Sequence, residues 1–396
     1  MDITYTSTPA MESLREEVRD FLADEYPPEY EGFVWDFDED PDRWAFMHEF
    51  WKKQGAKRWL DPTWPKEYGG AEMSARYARI VREELGRRRV GGLVGIGGSV
   101  AGSIFRVGTD EQKATLLPGM AAGEITWAEG YTEPDSGSDL ASLRTRAELD
   151  GDEWVINGVK TFCTAGHHCN WVIIAARTDP DPAARHNGIS YFLSPMDVPG
   201  LELTPMHNLG GGRQNLLFFD DFRVSADYML GDLNKGWTQI WFGQGGAPMP
   251  IFQDDDDGPE TEYEPPLTGH AWILDQLVSY CKVNTRGGRP IIDDPVVQHH
   301  LAQLEIGVEV EKMVGLEGGR RYGGHLSQAI QKEFQPEFGQ RCMEILGPLG
   351  VIQRGEWAPL AGEIDNLYRR SFGNHAGGTS QVKRMVVATR VLGLPR

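Results

Sequence analysis

The sequence predicts a multi-domain α+β chain, helical at both ends and β-rich in the middle. Three observations carry this. Through the first third, apolar residues recur every three or four positions, the spacing of one helix face. From about Thr126 the period changes to short β-rich runs bounded by Asp, Pro and Gly. After Gly236-Trp237 the helical period returns. A chain of 396 residues has room for two or three domains. The expected boundaries are 1–125 (α), 126–235 (β) and 236–396 (α).

The first helix carries Met11, Leu14, Val18, Phe21 and Leu22, with Thr8-Pro9 as cap and first residue and Pro27-Pro28 as stop. A second presents Trp44, Met47 and Trp51 and meets Gly55. Trp64-Pro65-Lys66-Glu67-Tyr68-Gly69-Gly70 is a turn-rich connector, and Gly108-Thr109 precedes a charged helix from Asp110 to Leu117. In the middle, Asp150-Gly151 and Asn157-Gly158 both read as hairpin turns. Runs at 154–156, 171–174, 189–193 and 216–219 read as strands of an antiparallel sandwich or barrel. Val297, Leu301, Leu304 and Val308 then form a helical stripe, Glu333 to Leu346 a further helix, and Gln381 to Leu392 the last. There is no long-period repeat.

Composition narrows the function. The chain has 59 acidic and 39 basic residues, a formal charge of −20. Nucleic acid and anionic membrane both rely on Lys/Arg charge, so neither is an expected partner. No run reaches the roughly 18 apolar residues of a membrane span. Met1-Asp2-Ile3-Thr4 lacks the basic and apolar regions of a secretory signal. Four cysteines (Cys163, Cys169, Cys281, Cys342) are too few for a disulfide framework in this length, which points to a cytoplasmic setting.

Several motifs carry little. The glycines of 91–98 do not fit GxGxxG and follow a helix rather than a strand. Cys163, His167, His168 and Cys169 are too compressed for a structural zinc site. Arg87-Arg88-Arg89 reads as a solvated helix end and Asp254–Asp257 as a solvated loop without EF-hand spacing.

Three clusters are more informative. Tyr131 to Asp139 is a turn-rich segment dense in hydroxyls and backbone N–H groups, a chemistry that holds anions. Phe162 and Thr164 are two apart on a strand and share a face, so they can stack on and hydrogen-bond to one flat heteroaromatic ring. Gly377-Gly378-Thr379-Ser380-Gln381 opens a helix, with Thr379 as its cap.

Taken in order, these clusters resemble the acyl-CoA dehydrogenase family. The likeness also includes the Trp64–Gly70 connector, Gly108-Thr109-Asp110-Glu111-Gln112-Lys113, Thr132-Glu133-Pro134 with Gly137-Ser138-Asp139-Leu140, Asn157-Gly158-x-Lys160, Arg177-Thr178-Asp179 and Leu392-Gly393-Leu394-Pro395-Arg396. The resemblance implies an N-terminal α-domain, a central antiparallel β-barrel-like domain and a C-terminal four-helix domain. It implies FAD, an acyl-CoA substrate, an electron-transfer flavoprotein or similar acceptor, and a homo- or hetero-tetramer. Tyr131 and Thr132 would lie at the flavin pyrimidine and Ser138 near the pyrophosphate or CoA. Phe162 would cover the ring and Thr164 would bond near N5. Arg286 would face a partner subunit's FAD phosphates, and Glu344, Gly347, Thr379 and Gln381 the pyrophosphate and adenosine. The family's Arg-x-x-Phe-Gly segment is here Arg286-Gly287-Gly288-Arg289-Pro290. Glu344 stands where the family has Gln, and Pro348 stands for a Gly.

The implied chemistry is α,β-dehydrogenation of a thioester. A desolvated carboxylate takes the α-proton, hydride leaves the β-carbon for the flavin, and a ribityl hydroxyl with the Gly377 N–H holds the thioester oxygen. Many members place the base immediately before Gly-Thr, where this chain has Gly377. The family's other position falls at Ala247-Pro248 counted forward, or near Gly258 to Glu262 counted backward. Glu260 and Glu262 are therefore the candidate bases. The alternatives are a non-catalytic partner that completes another subunit's FAD site, or a flavin-dependent oxidase on the same fold. The ending resembles actinobacterial members that act on bulky, steroid-like thioesters.

Overall fold

The computed structural model describes residues 5–34, 39–93, 99–238, 252–253, 258–315, 324–373 and 376–395. The N-terminal tetrapeptide, Val94–Gly98, Ala247-Pro248, Asp254–Asp257 and Arg396 lie outside the described residues. Two compact units form. The first comprises Met1–Asn208 and Gly212–Pro266, the second Leu209–Gly211 and Leu267–Arg396.

The first unit opens with strand β1 (Tyr5–Ser7) and five helices: α1 (Pro9–Glu25), α2 (Pro41–Ala56), α3 (Ala75–Arg87), α4 (Ser99–Val107) and α5 (Asp110–Ala121). Local chemistry sets their starts. Thr8 accepts from Met11 N with Pro9 first in the helix, and Thr109 forms a capping box with Gln112. Trp44, Met47, Phe50 and Trp51 turn inward from α2 and are buried with Val18 and Leu22 of α1.

The sheet runs β7–β8–β4–β3–β5–β6–β9, with β2 (Trp127–Gly130) added to β5. Its other strands are β3 (Arg146–Asp150), β4 (Glu153–Thr164), β5 (Trp171–Arg177), β6 (Ile189–Pro195), β7 (Leu201–His207), β8 (Arg213–Ser225) and β9 (Met229–Leu230). The four expected runs fall in β4, β5, β6 and β8, but the antiparallel expectation needs correction. β2 pairs with β5 in parallel, and β3 touches β5 in parallel at Arg146 and Arg177. β5 explains itself: Val172, Ile174 and Ala176 enter one core, Ile173 and Ala175 the other. A strand covered on both faces reads as a continuous apolar run.

Only one of the two hairpin dipeptides makes a hairpin. Asp150 pairs with Glu153 across the turn at Gly151. Asn157-Gly158 instead lies inside β4, at a register shift between Ile156 and Gly158. Asn157 exchanges bonds with Asp221 across the ladder (Nδ2 to Oδ1 3.0 Å, Oδ1 from N–H 2.9 Å). Gly158 has φ +152°, and a Cβ there would meet the Thr145 hydroxyl at 2.4 Å. The dipeptide is not a turn: Asn157 faces a bulge in β8, where Asp220 and Asp221 together oppose it.

The end of the unit returns to its start: β10 (Thr261–Tyr263) pairs antiparallel with β1. The second unit is helical: α6 (Gly269–Val283), α7 (Pro295–Met313), α8 (Gly324–Leu346), α9 (Glu363–Ser371) and α10 (Ser380–Val386), with the two-stranded hairpin β11 (Thr285–Arg286) and β12 (Arg289–Pro290). Val297, Leu301, Leu304 and Val308 pack as expected, with Leu277, Phe338 and Ile345.

The Arg87–Arg89 reading changes too. Arg87 bonds Glu84 at 2.7 Å, and Arg88 reaches Glu31 and the carbonyls of Leu22 and Tyr26. Glu84 is fully buried and also takes Arg15 at 2.9 Å and Arg19 at 3.0 Å. Burial pushes its carboxyl up, but the three guanidiniums outweigh this and hold it below the usual range. Removing one partner from a buried ion pair leaves the other uncompensated. Glu84→Ala should therefore lower unfolding stability by about 3–5 kcal/mol, read as a fall in the urea midpoint.

Candidate functional site

The site builds around β4. Lys160 lies on its inward side, wholly buried. Its Nζ donates to Glu133 Oε1 at 2.9 Å and to the Tyr131 carbonyl at 3.0 Å. Glu133 also accepts from the backbone N–H groups of Arg144 (2.6 Å) and Thr145 (2.8 Å). The Thr161 N–H donates to the Thr132 carbonyl at 2.8 Å. These bonds lock the 131–139 segment onto the strand that bears Phe162 and Thr164. Two of the three expected clusters therefore meet within the first unit.

Phe162 sits at φ +60°, just where β4 shifts register between Lys160 and Cys163. A left-handed aromatic costs about 1–3 kcal/mol and persists only where surroundings over-determine it. Here Thr161 is bonded to Thr132, and Cys163 is buried with its carbonyl taking Asn215 Nδ2 at 3.0 Å. The result is a phenyl ring 50% exposed. Thr164 is half-buried beside it. Its hydroxyl donates to Phe162 O at 3.4 Å and accepts from Gln214 at 3.3 Å. Ser138 is exposed, and the turn itself is fixed by Ser136 and Ser142 on the Asp139 carbonyl.

Sequence reasoning quoted Lys160 and Glu133 only as motif letters. The signal was available, since a lysine that continues the inward row of Trp154 and Ile156 needs an acid. Strand β2 was also passed over. Alternation gives Trp127, Glu129 and Tyr131 one face. Tyr131 rests on Tyr191 with ring centres 5.6 Å apart.

Next to the site is a histidine group. His168 stacks on Trp44 (centroids 3.7 Å, 12° between planes), and His167 Nδ1 lies 3.3 Å from Asn215 Nδ2. Burial pulls His167 down to about 4, helped by Arg213 and His207. Burial and neighbouring His167, His48 and Arg213 pull His168 to about 3. Among the described residues, no group of three His, Cys, Asp or Glu side chains could hold a metal ion.

The candidate bases sit apart from such shelter. Glu260 is exposed and bonds Arg76 at 2.7 Å, while Glu262 is exposed in β10 opposite Thr6. Neither has the dry surroundings that would raise a carboxyl toward neutral pH.

In the second unit, Gly287 and Gly288 both take positive φ (59° and 78°) and close the β11–β12 hairpin. This is the turn that a Gly-Gly pair favours. Arg286 on β11 is exposed, donates to the Ile345 carbonyl and lines a cleft of about 290 Å³ with Arg289, Asp293 and Asp294. Glu344 is exposed on α8 and bonds Gln340 (3.0 Å) and His300 (3.4 Å). Gly347 has φ +59°. Thr379 caps α10 by accepting from Val382 N, and Gln381 is exposed.

Three domain descriptions match the chain in series. The acyl-CoA dehydrogenase N-terminal domain covers 8–124, the middle domain 128–222 and the C-terminal domain 266–392. Acyl-CoA dehydrogenase FadE26 of Mycobacterium tuberculosis is 30% identical over 100% of this chain and 99% of its own. The chain belongs to the acyl-CoA dehydrogenase family. IpdE1 of the same organism, also an acyl-CoA dehydrogenase, is 29% identical over 98% of each chain. Among solved structures, the ChsE4-ChsE5 complex from M. tuberculosis has TM-score 0.82 at 29% identity, covering all of both chains. The Tcur3481-Tcur3483 steroid ACAD has TM-score 0.81 at 28%, covering 98% of this chain and 99% of that one. Among the described residues, no helix is long and apolar enough to cross a membrane.

The histidines give a pH test. Both are held below their ordinary 6.5, so the stability they carry is complete above pH 6.5. It is lost as pH falls through about 4 and 3. Thermal midpoints should drop across that window, and His168→Phe, which keeps a ring on Trp44 but cannot titrate, should flatten the drop.

Proposed function

We propose that this chain binds FAD and takes part in α,β-dehydrogenation of an acyl-CoA thioester with a bulky, steroid-like acyl group. The observation that carries this is Phe162, held half-exposed at φ +60° beside Thr164 on a strand joined to Thr132. Residues held in strained backbone of this kind cluster at active sites, ligand clamps and switch regions. A flat heteroaromatic ring fits them. Bound FAD supplies the hydride acceptor.

The chain's own part is binding and orientation. Phe162 covers the ring, Thr164 offers a hydroxyl, and Tyr131, Thr132 and Ser138 supply backbone and hydroxyl groups. In the second unit, Arg286, Gly347, Thr379 and Gln381 are proposed for the phosphates and adenosine. Glu344 is an acid where an amide is usual, which opposes a pyrophosphate at that position. Glu260 or Glu262 is proposed to take the α-proton. Electron-transfer flavoprotein is the proposed acceptor, and the likeness to the ChsE4-ChsE5 complex and to the Tcur3481-Tcur3483 steroid ACAD supports a heteromeric assembly.

A second reading has a specific observation behind it. Glu260 is committed to Arg76, Glu262 is exposed, and Gly377 replaces the terminal acid. A chain without a working base would serve as the partner that completes another subunit's flavin site.

The purified chain, assayed anaerobically with a steroid-type acyl-CoA, separates the two. The first reading expects a yellow protein that bleaches, with Glu260→Gln or Glu262→Gln slowing bleaching about 10²–10⁴-fold. A colourless preparation that gains flavin only with a second subunit supports the partner reading. A chain that takes up no flavin under either condition overturns both.

A further inference from the structure

We propose that Lys160 is a positioning residue for that flavin. Its ammonium, held by Glu133, polarises the peptide between Tyr131 and Thr132 so that the Thr132 N–H becomes a stronger donor to the electron-rich edge of the reduced ring. This rests on the flavin reading above and deepens it.

The geometry is specific. The carbonyl that Lys160 Nζ engages at 3.0 Å is that of Tyr131. The N–H at the other end of the same peptide unit is that of Thr132. A charged donor on the carbonyl withdraws density from the unit and strengthens the N–H opposite, most of all where the dielectric is low. Lys160 is wholly buried and Glu133 nearly so. The Thr132 carbonyl is also committed, to the Thr161 N–H at 2.8 Å. The peptide is therefore fixed on both sides.

A buried ion pair is by itself weak evidence of a gain in stability. Burying two ions costs several kcal/mol each, and a well-packed apolar pair of similar volume is often as stable or more so. A charge kept at that expense, one bond from a residue at the flavin's pyrimidine, is placed to favour the electron-rich form. Fields near that edge of a flavin set its redox electronics. Burial pulls the Lys160 ammonium down, and the Glu133 carboxylate at 2.9 Å opposes that fall and favours the charged form.

The test is the midpoint potential of bound FAD, measured on the flavin-loaded protein in whatever assembly retains it. Lys160→Met should bind reduced flavin tenfold less well relative to oxidised, a fall of about 30 mV for a two-electron couple. Lys160→Arg, which keeps the charge, should restore most of the shift. Glu84→Gln disturbs a separate buried ion cluster. It should lower stability and leave the potential unchanged, which a merely structural effect would not predict. If Lys160→Met fails to fold, the double variant Lys160→Gln/Glu133→Gln keeps hydrogen-bonding groups without charge and should show the same fall. An unchanged potential in the charge-removing variants overturns the proposal, as does an equal fall in Lys160→Arg or Glu84→Gln. If wild type takes up no flavin in any assembly, the flavin reading itself falls and takes the proposal with it.

Discussion

The buried pair of Lys160 and Glu133 is the constraint on which the β-rich half of the first unit depends. Strand β4 and the 131–139 turn are far apart in sequence and share no ladder. What joins them is one ammonium, one carboxylate and the Thr161-to-Thr132 bond. The carboxylate in turn holds the N–H groups of Arg144 and Thr145. Three backbone positions, the Tyr131 carbonyl and the Arg144 and Thr145 N–H groups, are thus fixed by two side chains in a place where water cannot substitute. An uncompensated charge at either end would cost more than the pair gains, so the arrangement is all or nothing.

The same logic governs the helical half. The chain is strongly acidic, yet several of its arginines are turned inward. Arg15 is almost fully buried between Glu84 and Glu83, and Tyr263 of β10 bonds Glu83 from the far end of the unit. Arg88 closes the gap between α1 and the 28–31 turn. Of the basic triplet, Arg87 bonds Glu84 and Arg88 is spent on a carboxylate and two carbonyls.

Period and punctuation made much of the fold legible. The stripes of α1, α2 and α7, the caps Thr8 and Thr379, and the short strands followed from spacing and side-chain chemistry alone. What spacing could not give was long-range pairing. Asn157-Gly158 has the local chemistry of a turn, but Asp221, in a bulge of the neighbouring strand β8, bonds Asn157 and keeps it inside β4. Glu260 and Glu262 were found by counting from flanking motifs. Counting cannot foresee that Ser7 and Tyr5 return to pair with that segment and hold it at the surface. At the site, Phe162 and Thr164 were read as neighbours on one strand, and β4 carries both, but the left-handed turn that exposes the ring was not legible. Local sequence does not announce positive φ in a phenylalanine.

That turn has an identifiable cause. Phe162 and Ala165 are both left-handed (φ +60° and +51°), and Cys163 lies between them, buried. A regular strand would send alternate side chains to opposite faces. With Lys160 fixed inward by Glu133 and Cys163 held by Asn215, the chain between them must absorb a mismatch, and it does so by flipping one residue. Asn215 is itself fully buried and receives Arg213 at 3.0 Å, while the Arg213 carbonyl accepts from Ala165 N. The strain is therefore clamped from both strands at once. The exposed ring does not depend on its own contacts. Between its two buried polar anchors the strand releases its misfit at this residue, and the aromatic is left half-exposed.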